Sequence, residues 1–113
     1  MVEYEVDGTG RKKECDKDSP IIHLAIVNPP EVWTSKKIIG MIEDKDKEYN
    51  FWSYHYKNGK IDEKTKIEVE VVNDPEGKYL RTRKDETEDN NLLELPIWHL
   101  ITNKEGEEKW DKC

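Results

Sequence analysis

The stretch Ile21-Ile22-His23-Leu24-Ala25-Ile26-Val27 limits what this chain can fold into more than any other feature. It is almost uninterruptedly apolar, and prolines close it on both sides, Pro20 before it and Asn28-Pro29-Pro30 after it. A run this short and this rich in Ile and Val suits a buried strand with neighbours on both edges better than a helix. The double proline forbids helix until the chain has passed residue 30, and it forces an extended turn. A sheet must therefore grow around residues 21–27, and the remaining segments have to supply its partners and its cover.

The cover is predicted to be a helix opening after Trp33, with Thr34 or Ser35 accepting from free amides of the first turn. Ile38, Ile39, Met41 and Ile42 form an apolar stripe at helical spacing, and Glu43-Asp44-Lys45 ends it in solvent, giving a helix over about 35–44. Gly40 inside it costs about 1 kcal/mol against Ala, which a close backbone contact with the sheet would explain. Three strands follow. Tyr49–Lys57 alternates, with Phe51, Ser53 and His55 on one face and Trp52, Tyr54 and Tyr56 on the other. Asn58-Gly59 is a turn dipeptide. Thr65–Val72 sets Ile67, Val69 and Val71 against Glu68 and Glu70, one face covered and one wet, as in an antiparallel sheet. Asn73–Gly77 makes the next turn and Lys78–Arg83 the returning strand.

At the start, Val2–Val6 is a weaker strand, Asp7-Gly8-Thr9-Gly10 reads as a turn, and Arg11–Glu14 as its return. Near the end, Leu92, Leu93 and Leu95 re-enter the core, Pro96 halts any helix, and Ile97, Trp98, Leu100 and Ile101 form a last apolar strip. The expected architecture is a small single α+β domain over 1–102. It has a mainly antiparallel sheet of four to five strands and one principal helix packed on one face, followed by a charged tail, 103–113, whose only large apolar group is Trp110.

A chain of 113 residues suits one domain. Only 34% of it is hydrophobic and 40% is charged, which leans toward disorder, but four Trp, five Tyr and one Phe inside periodic segments supply large buried area. The net charge of -7 disfavours general affinity for phosphate backbones or anionic lipid. No apolar run approaches the ~20 residues that span a bilayer, and Met1–Glu5 lacks the basic and apolar regions of a secretion signal. The expected location is cytoplasmic. Cys15 and Cys113 could form one bridge, but free thiols fit that location better.

The most particular segment is Tyr79-Leu80-Arg81-Thr82, with Asp85 and then Asp89-Asn90-Asn91-Leu92-Leu93-Glu94-Leu95-Pro96. On Tyr79, Leu80, Arg81, Thr82, Asp85, Asp89, Asn90, Leu92, Leu93, Leu95 and Pro96, the chain resembles the family of small, mostly microbial domains of unknown function DUF3892. The resemblance covers about residues 21–96 and implies a strand, a short helix opening near a Thr or Ser, and a hairpin. It implies a fold and no reaction. Asn91 enlarges the family's Asp-Asn-Leu-Leu step, and residues past Pro96 continue beyond its pattern.

Arg81, Thr82, Asp85, Asp89 and Asn90 are the candidate binding residues. Arginine offers a planar fork for carboxylate or phosphate, and Asn with Asp can read amides or hydroxyls. The plainer reading pairs Arg81 with Asp85 or Asp89 and uses the remaining side chains to cap the turn. Trp52, Tyr54 and Tyr56 could stack single-stranded nucleic acid, or else cover the helix stripe. His23, His55 and His99 with the two cysteines match no zinc spacing, so no metal and no cofactor is expected. No catalytic constellation stands out. The expected function is a non-enzymatic binding or interaction module with a protein partner. The alternatives are a small enzyme or ligand-binding domain using the Arg81–Asn90 loop, and nucleic-acid contact through the aromatic strand face.

Overall fold

In the computed structural model, which describes residues 2–57, 60–83 and 91–113, strand β1 (Val2–Arg11) is the hub of the assembly. Its first half pairs in parallel with β4 (Tyr49–Lys57). Its second half pairs antiparallel with β2 (Ile21–Ile26) and, through Thr9 and Gly10, in parallel with β7 (Ile97–Thr102). Beyond β2 lies β3 (Glu31–Thr34); beyond β4 come β5 (Lys60–Asp74) and β6 (Gly77–Thr82), all antiparallel to their neighbours. Strand β8 (Glu108–Lys112) closes a hairpin with β7. The α+β class stands, but the sheet is mixed and has eight strands among the described residues, larger than the four to five and less antiparallel than expected. The passage through β2, β3 and helix α1 (Ser35–Ile42) is the crossover that lets β1 and β4 run parallel.

Strand β1 overturns the predicted turn at Asp7-Gly8-Thr9-Gly10, which runs straight through as strand with register shifts between Val6 and Gly8 and between Gly10 and Arg11. The glycines are there for close approach. A Cβ on Gly8 would collide with Nε1 and Cδ1 of the Trp98 indole, and one on Gly10 would stand 2.9 Å from His23 Cβ. Strand β2 is flanked on both edges, as its sequence demanded, and its second half (Leu24, Ala25, Ile26) is buried.

Helix α1 opens as expected: Thr34 Oγ1 accepts from the Lys37 amide at 3.1 Å. Its buried Ile38 joins Val6, Leu24, Ile26, Phe51, Val69, Leu80, Leu92 and Leu95 in one core cluster. Gly40 is exposed, with nothing within 4 Å of an added Cβ, so the expected contact with the sheet is not the reason for it. Strand β4 uses its Phe51 and Ser53 face for the core, and Trp52 and Tyr54 lie half-buried on the other. The helix is therefore covered by the face opposite the one proposed to cover it. Leu92 and Leu95 enter the core from a short 3-10 turn at Asn91–Glu94, while Leu93 stays exposed. Among the described residues no helix is long and apolar enough to cross a membrane, which bears on helices alone.

The cysteines are not free. Cys15 and Cys113, 98 residues apart, form a disulfide with their Cα atoms 5.7 Å apart. Pattern reading missed the pairing because it depends on two distant devices. The loop after β1 is gathered by the buried Arg11 guanidinium, whose Nη1 donates to Lys17 O at 2.9 Å and to Ser19 O at 2.8 Å. Cys15 turns there through a left-handed φ of 57°. At the other end the Cys113 amide donates to Ile97 O, extending the β7–β8 hairpin to the sulfur.

Candidate functional site

Of the five residues singled out from the sequence, Asp85, Asp89 and Asn90 lie outside the described residues. Arg81 is on β6, its Nε donating to Thr82 O at 3.1 Å and lying 4.0 Å from Glu70 Oε1. Thr82 is fully buried, and its Oγ1 accepts from the Asn91 amide at 2.6 Å. The Asn91 side-chain amide in turn donates to Tyr54 O at 2.9 Å. These bonds tie the start of the 3-10 turn to β6 and β4 and set Leu92 in the core. For Thr82 and Asn91 the geometry matches a structural lock. Thr82→Val should then cost about 1–3 kcal/mol by removing the acceptor of a buried amide, read as a lower urea midpoint. An unchanged midpoint would show that the bond holds nothing.

The aromatic face of β4 is occupied by its own neighbours. Lys66 Nζ sits 4.3 Å over the Trp52 ring, and Tyr54 meets Trp52 edge-on at 5.0 Å. Arg83 approaches Glu68 at 3.3 Å and Glu70 at 3.8 Å. Cations and carboxylates are interleaved on this surface, which gives a polyanion little net attraction.

An aromatic-walled concavity lies elsewhere, between β1–β2–β3 and the β7–β8 hairpin. It is a cleft of about 310 Å³ walled by Trp98 and Trp110, floored by Ala25, Ile26 and Val32, and bordered by the carboxylates of Asp7 and Glu31. A larger cleft of about 650 Å³, lined in part by Ile22, Ile39 and Lys78, is more open and has no tryptophan among its lining residues. Each wall of the tryptophan cleft has a cause. Trp98 stands against the bare backbone of Gly8, its indole Nε1 buried and, among the described residues, without a hydrogen-bond partner. Trp110, opposite Leu100 across the hairpin, is steadied by the His23 ring at 5.0 Å. Glu31 is held by the Trp33 indole, which donates to its Oε2 at 2.9 Å.

Burial pushes the Asp7 carboxyl above its ordinary range, and the nearby Lys112 ammonium pulls it part of the way back. Lys112 Nζ also lies 5.5 Å over the Trp98 ring. One ammonium thus acts both on a cleft carboxylate and on a cleft indole. Burial lowers the His23 pKa below the usual 6.5. Its protonated form is therefore disfavoured in the fold, and stability present above that value is lost as the pH falls through it toward the folded value. The denaturant midpoint should drop between neutrality and mild acid, and the drop should shrink in His23→Gln. An equal drop in that variant would assign the effect to other groups.

The walls of this cleft were not singled out from the sequence. Trp110 did stand out as the one large apolar group in a charged segment, a signal that a hairpin partner was waiting for it. Asp7 was hidden inside what looked like a turn.

Among the described residues one further group has ligand atoms drawn together: the Cys15 and Cys113 sulfurs and a ring nitrogen of His99, all within 4.8 Å of one another. Glu14 Oε1 lies 2.6 Å from His99 Nδ1.

No curated protein matches the chain, and no solved structure does either. The model of a family described as proteins of unknown function, DUF3892, matches residues 10–96. That span runs from the end of β1 to Pro96. It includes Cys15, β2 to β6 and the closing segment, whereas Asp7, Trp98, His99, Trp110 and Cys113 fall outside it. The tryptophan cleft is thus formed where the β7–β8 hairpin, outside the match, meets strands β2 and β3 within it. By that match, which spans well over half of its length, this chain belongs to the DUF3892 family of proteins of unknown function.

Proposed function

We propose that the chain is a non-enzymatic binding module that captures a cationic side chain of a partner protein in the Trp98–Trp110 cleft. One observation supports this most: two indoles and two carboxylates, Asp7 and Glu31, converge on one concavity in an acidic chain. An indole face attracts a cation through its quadrupole, and the attraction grows as the cation loses water. Arginine fits best, because its planar guanidinium can stack on an indole while its edge donates to a carboxylate. Lys112 over Trp98 is an intramolecular precedent for that contact. The net charge of -7 would speed the approach of a basic partner.

The test is a titration of the chain with short peptides differing at one position, Arg, Lys or the uncharged isostere citrulline, followed by calorimetry. Arg should bind more tightly than Lys, and citrulline should lose about 10-fold or more, on the order of the 1–2 kcal/mol a partly desolvated cation–π contact supplies. Trp110→Ala should abolish the difference. Affinity should also weaken on acidification, starting above the usual aspartate range, because a proton on Asp7 removes the charge the cation meets. Equal binding of Arg and citrulline peptides would reject the reading.

The cytoplasmic location expected from the sequence remains part of this proposal, although a disulfide such as Cys15–Cys113 persists best in oxidising compartments. The alternative site of Arg81, Thr82, Asp85, Asp89 and Asn90 has less support, because the Thr82 hydroxyl is already engaged by the Asn91 amide.

A further inference from the structure

We propose that the Cys15–Cys113 bridge, when reduced, becomes a zinc site made of the two thiolates and the imidazole of His99, with Glu14 as a positioning residue. Three soft or borderline ligands are already assembled, since the two sulfurs and a His99 ring nitrogen lie within 4.8 Å of one another. In a tetrahedral site with Zn–S near 2.3 Å and Zn–N near 2.0 Å, ligand atoms stand about 3.3–3.8 Å apart. Once the bridge is broken, the sulfurs part and the imidazole closes in to reach that spacing, and Cys15 and Cys113 are both exposed. Thiolate with imidazole selects zinc over the hard cations magnesium and calcium.

The surroundings argue for a prepared site. Glu14 Oε1 lies 2.6 Å from His99 Nδ1, so a proton held on Nδ1 leaves the Nε2 lone pair for the metal. A carboxylate behind the imidazole is the usual way a ligating histidine is oriented. His99 is set on β7 opposite Asp111, Cys113 is tied to Ile97 by its amide, and Cys15 is presented by a turn that Arg11 gathers. Three ligands leave the fourth position to a water or to a donor from a bound molecule, as in open zinc sites.

The chemistry balances with a dithiol as reductant. Its two thiols reduce the bridge through a mixed disulfide: the S–S bond breaks, Cys15 and Cys113 gain the two electrons and two protons, and the dithiol leaves as its own disulfide. Zinc binding then releases the two thiol protons to solvent. In either state the end of the β7–β8 hairpin stays fastened to the loop after β1, by a covalent bond when oxidised and by the metal when reduced. The chain so built exchanges one staple for the other as the redox state changes.

The experiment takes the full chain reduced with a phosphine under anaerobic conditions and titrates it with zinc, then with cobalt(II) as a spectroscopic substitute. One equivalent should bind. Cobalt should give thiolate-to-metal absorption in the near ultraviolet and the strong visible bands of tetrahedral geometry. His99→Ala should weaken zinc by at least about 10-fold, and Glu14→Gln should weaken it by about 10–100-fold while keeping the thiolate band. His99→Ala keeps its disulfide, so its fold can be verified before reduction. If the reduced wild type loosens, zinc should restore its native amide spectrum. Failure to bind one equivalent, failure to restore the spectrum, or zinc affinity indifferent to His99→Ala would each overturn the proposal.

Discussion

Replacing Cys15 and Cys113 together by serine is expected to lower the free energy of unfolding by about 2–5 kcal/mol, measured as a shift of the urea midpoint in metal-free buffer. The bridge closes a segment of 98 residues, nearly the whole chain. In the chain-entropy account a loop of that size restricts the unfolded ensemble by about 4.7 kcal/mol, an upper figure because native contacts adjust. A domain of this length has roughly 6–17 kcal/mol in total, so the bridge is a large share. The loss should also be local. Among the described residues, strands β7 and β8 meet the rest of the sheet in register only through Thr9–Ile97 and Gly10–Trp98, so amides of 97–112 should exchange faster than those of β4 and β5. A midpoint shift corresponding to less than about 1 kcal/mol would mean that the hairpin docks without its staple.

Phe51→Ala should cost about 3–5 kcal/mol, the range for emptying a large buried aromatic site. Phe51 is fully buried, stacks on Tyr4 at 5.2 Å between ring centres, and meets Trp33 edge-on at 6.2 Å. It belongs to the same buried cluster as Ile38 of the helix and Leu92 of the closing segment, so the cavity would open where sheet, helix and turn all meet. Trp52→Ala, one residue along on the other face, removes a larger side chain and should cost clearly less, since Trp52 is half-buried and touches Tyr54 and Lys66. Chemical denaturation of the two variants decides which face of β4 is the inner one. The reverse order of losses would put the core on the Trp52 side.

How far the sequence could be read follows from the range of each signal. Strand β2 and the capped start of α1 were legible because flanking prolines, a short apolar run and a Thr at the right offset act within a few residues. Strand β4 emerged with its predicted bounds for the same reason. Strand β5 ran longer than Thr65–Val72 because pairing with Tyr56 and Lys57 of β4 carries Ile61 and Lys60 into the ladder. The inner face of β4 was ambiguous, since both faces carry aromatics and only packing against Ile38 chooses Phe51. Strand β1 was misread because Gly8 and Gly10 look like turn residues until the Trp98 and His23 side chains that need the space are in place. The disulfide, the parallel pairing of β1 with β7, and the cleft of Asp7, Trp98 and Trp110 all join the two ends of the chain. No periodicity reports contacts of that span. In the family-like segment, Thr82 stood out as a candidate binding residue, and the structure shows its hydroxyl accepting from the Asn91 amide.

The most direct test of a cation-accepting tryptophan cleft is a nitrogen–proton correlation spectrum of the four indole N–H groups during titration with the arginine peptide. The indole signals of Trp98 and Trp110 should move together and saturate, with Trp33 following weakly through Glu31, while Trp52 on the far face of β4 stays fixed. A titration in which Trp52 moves and Trp98 and Trp110 do not would contradict the account.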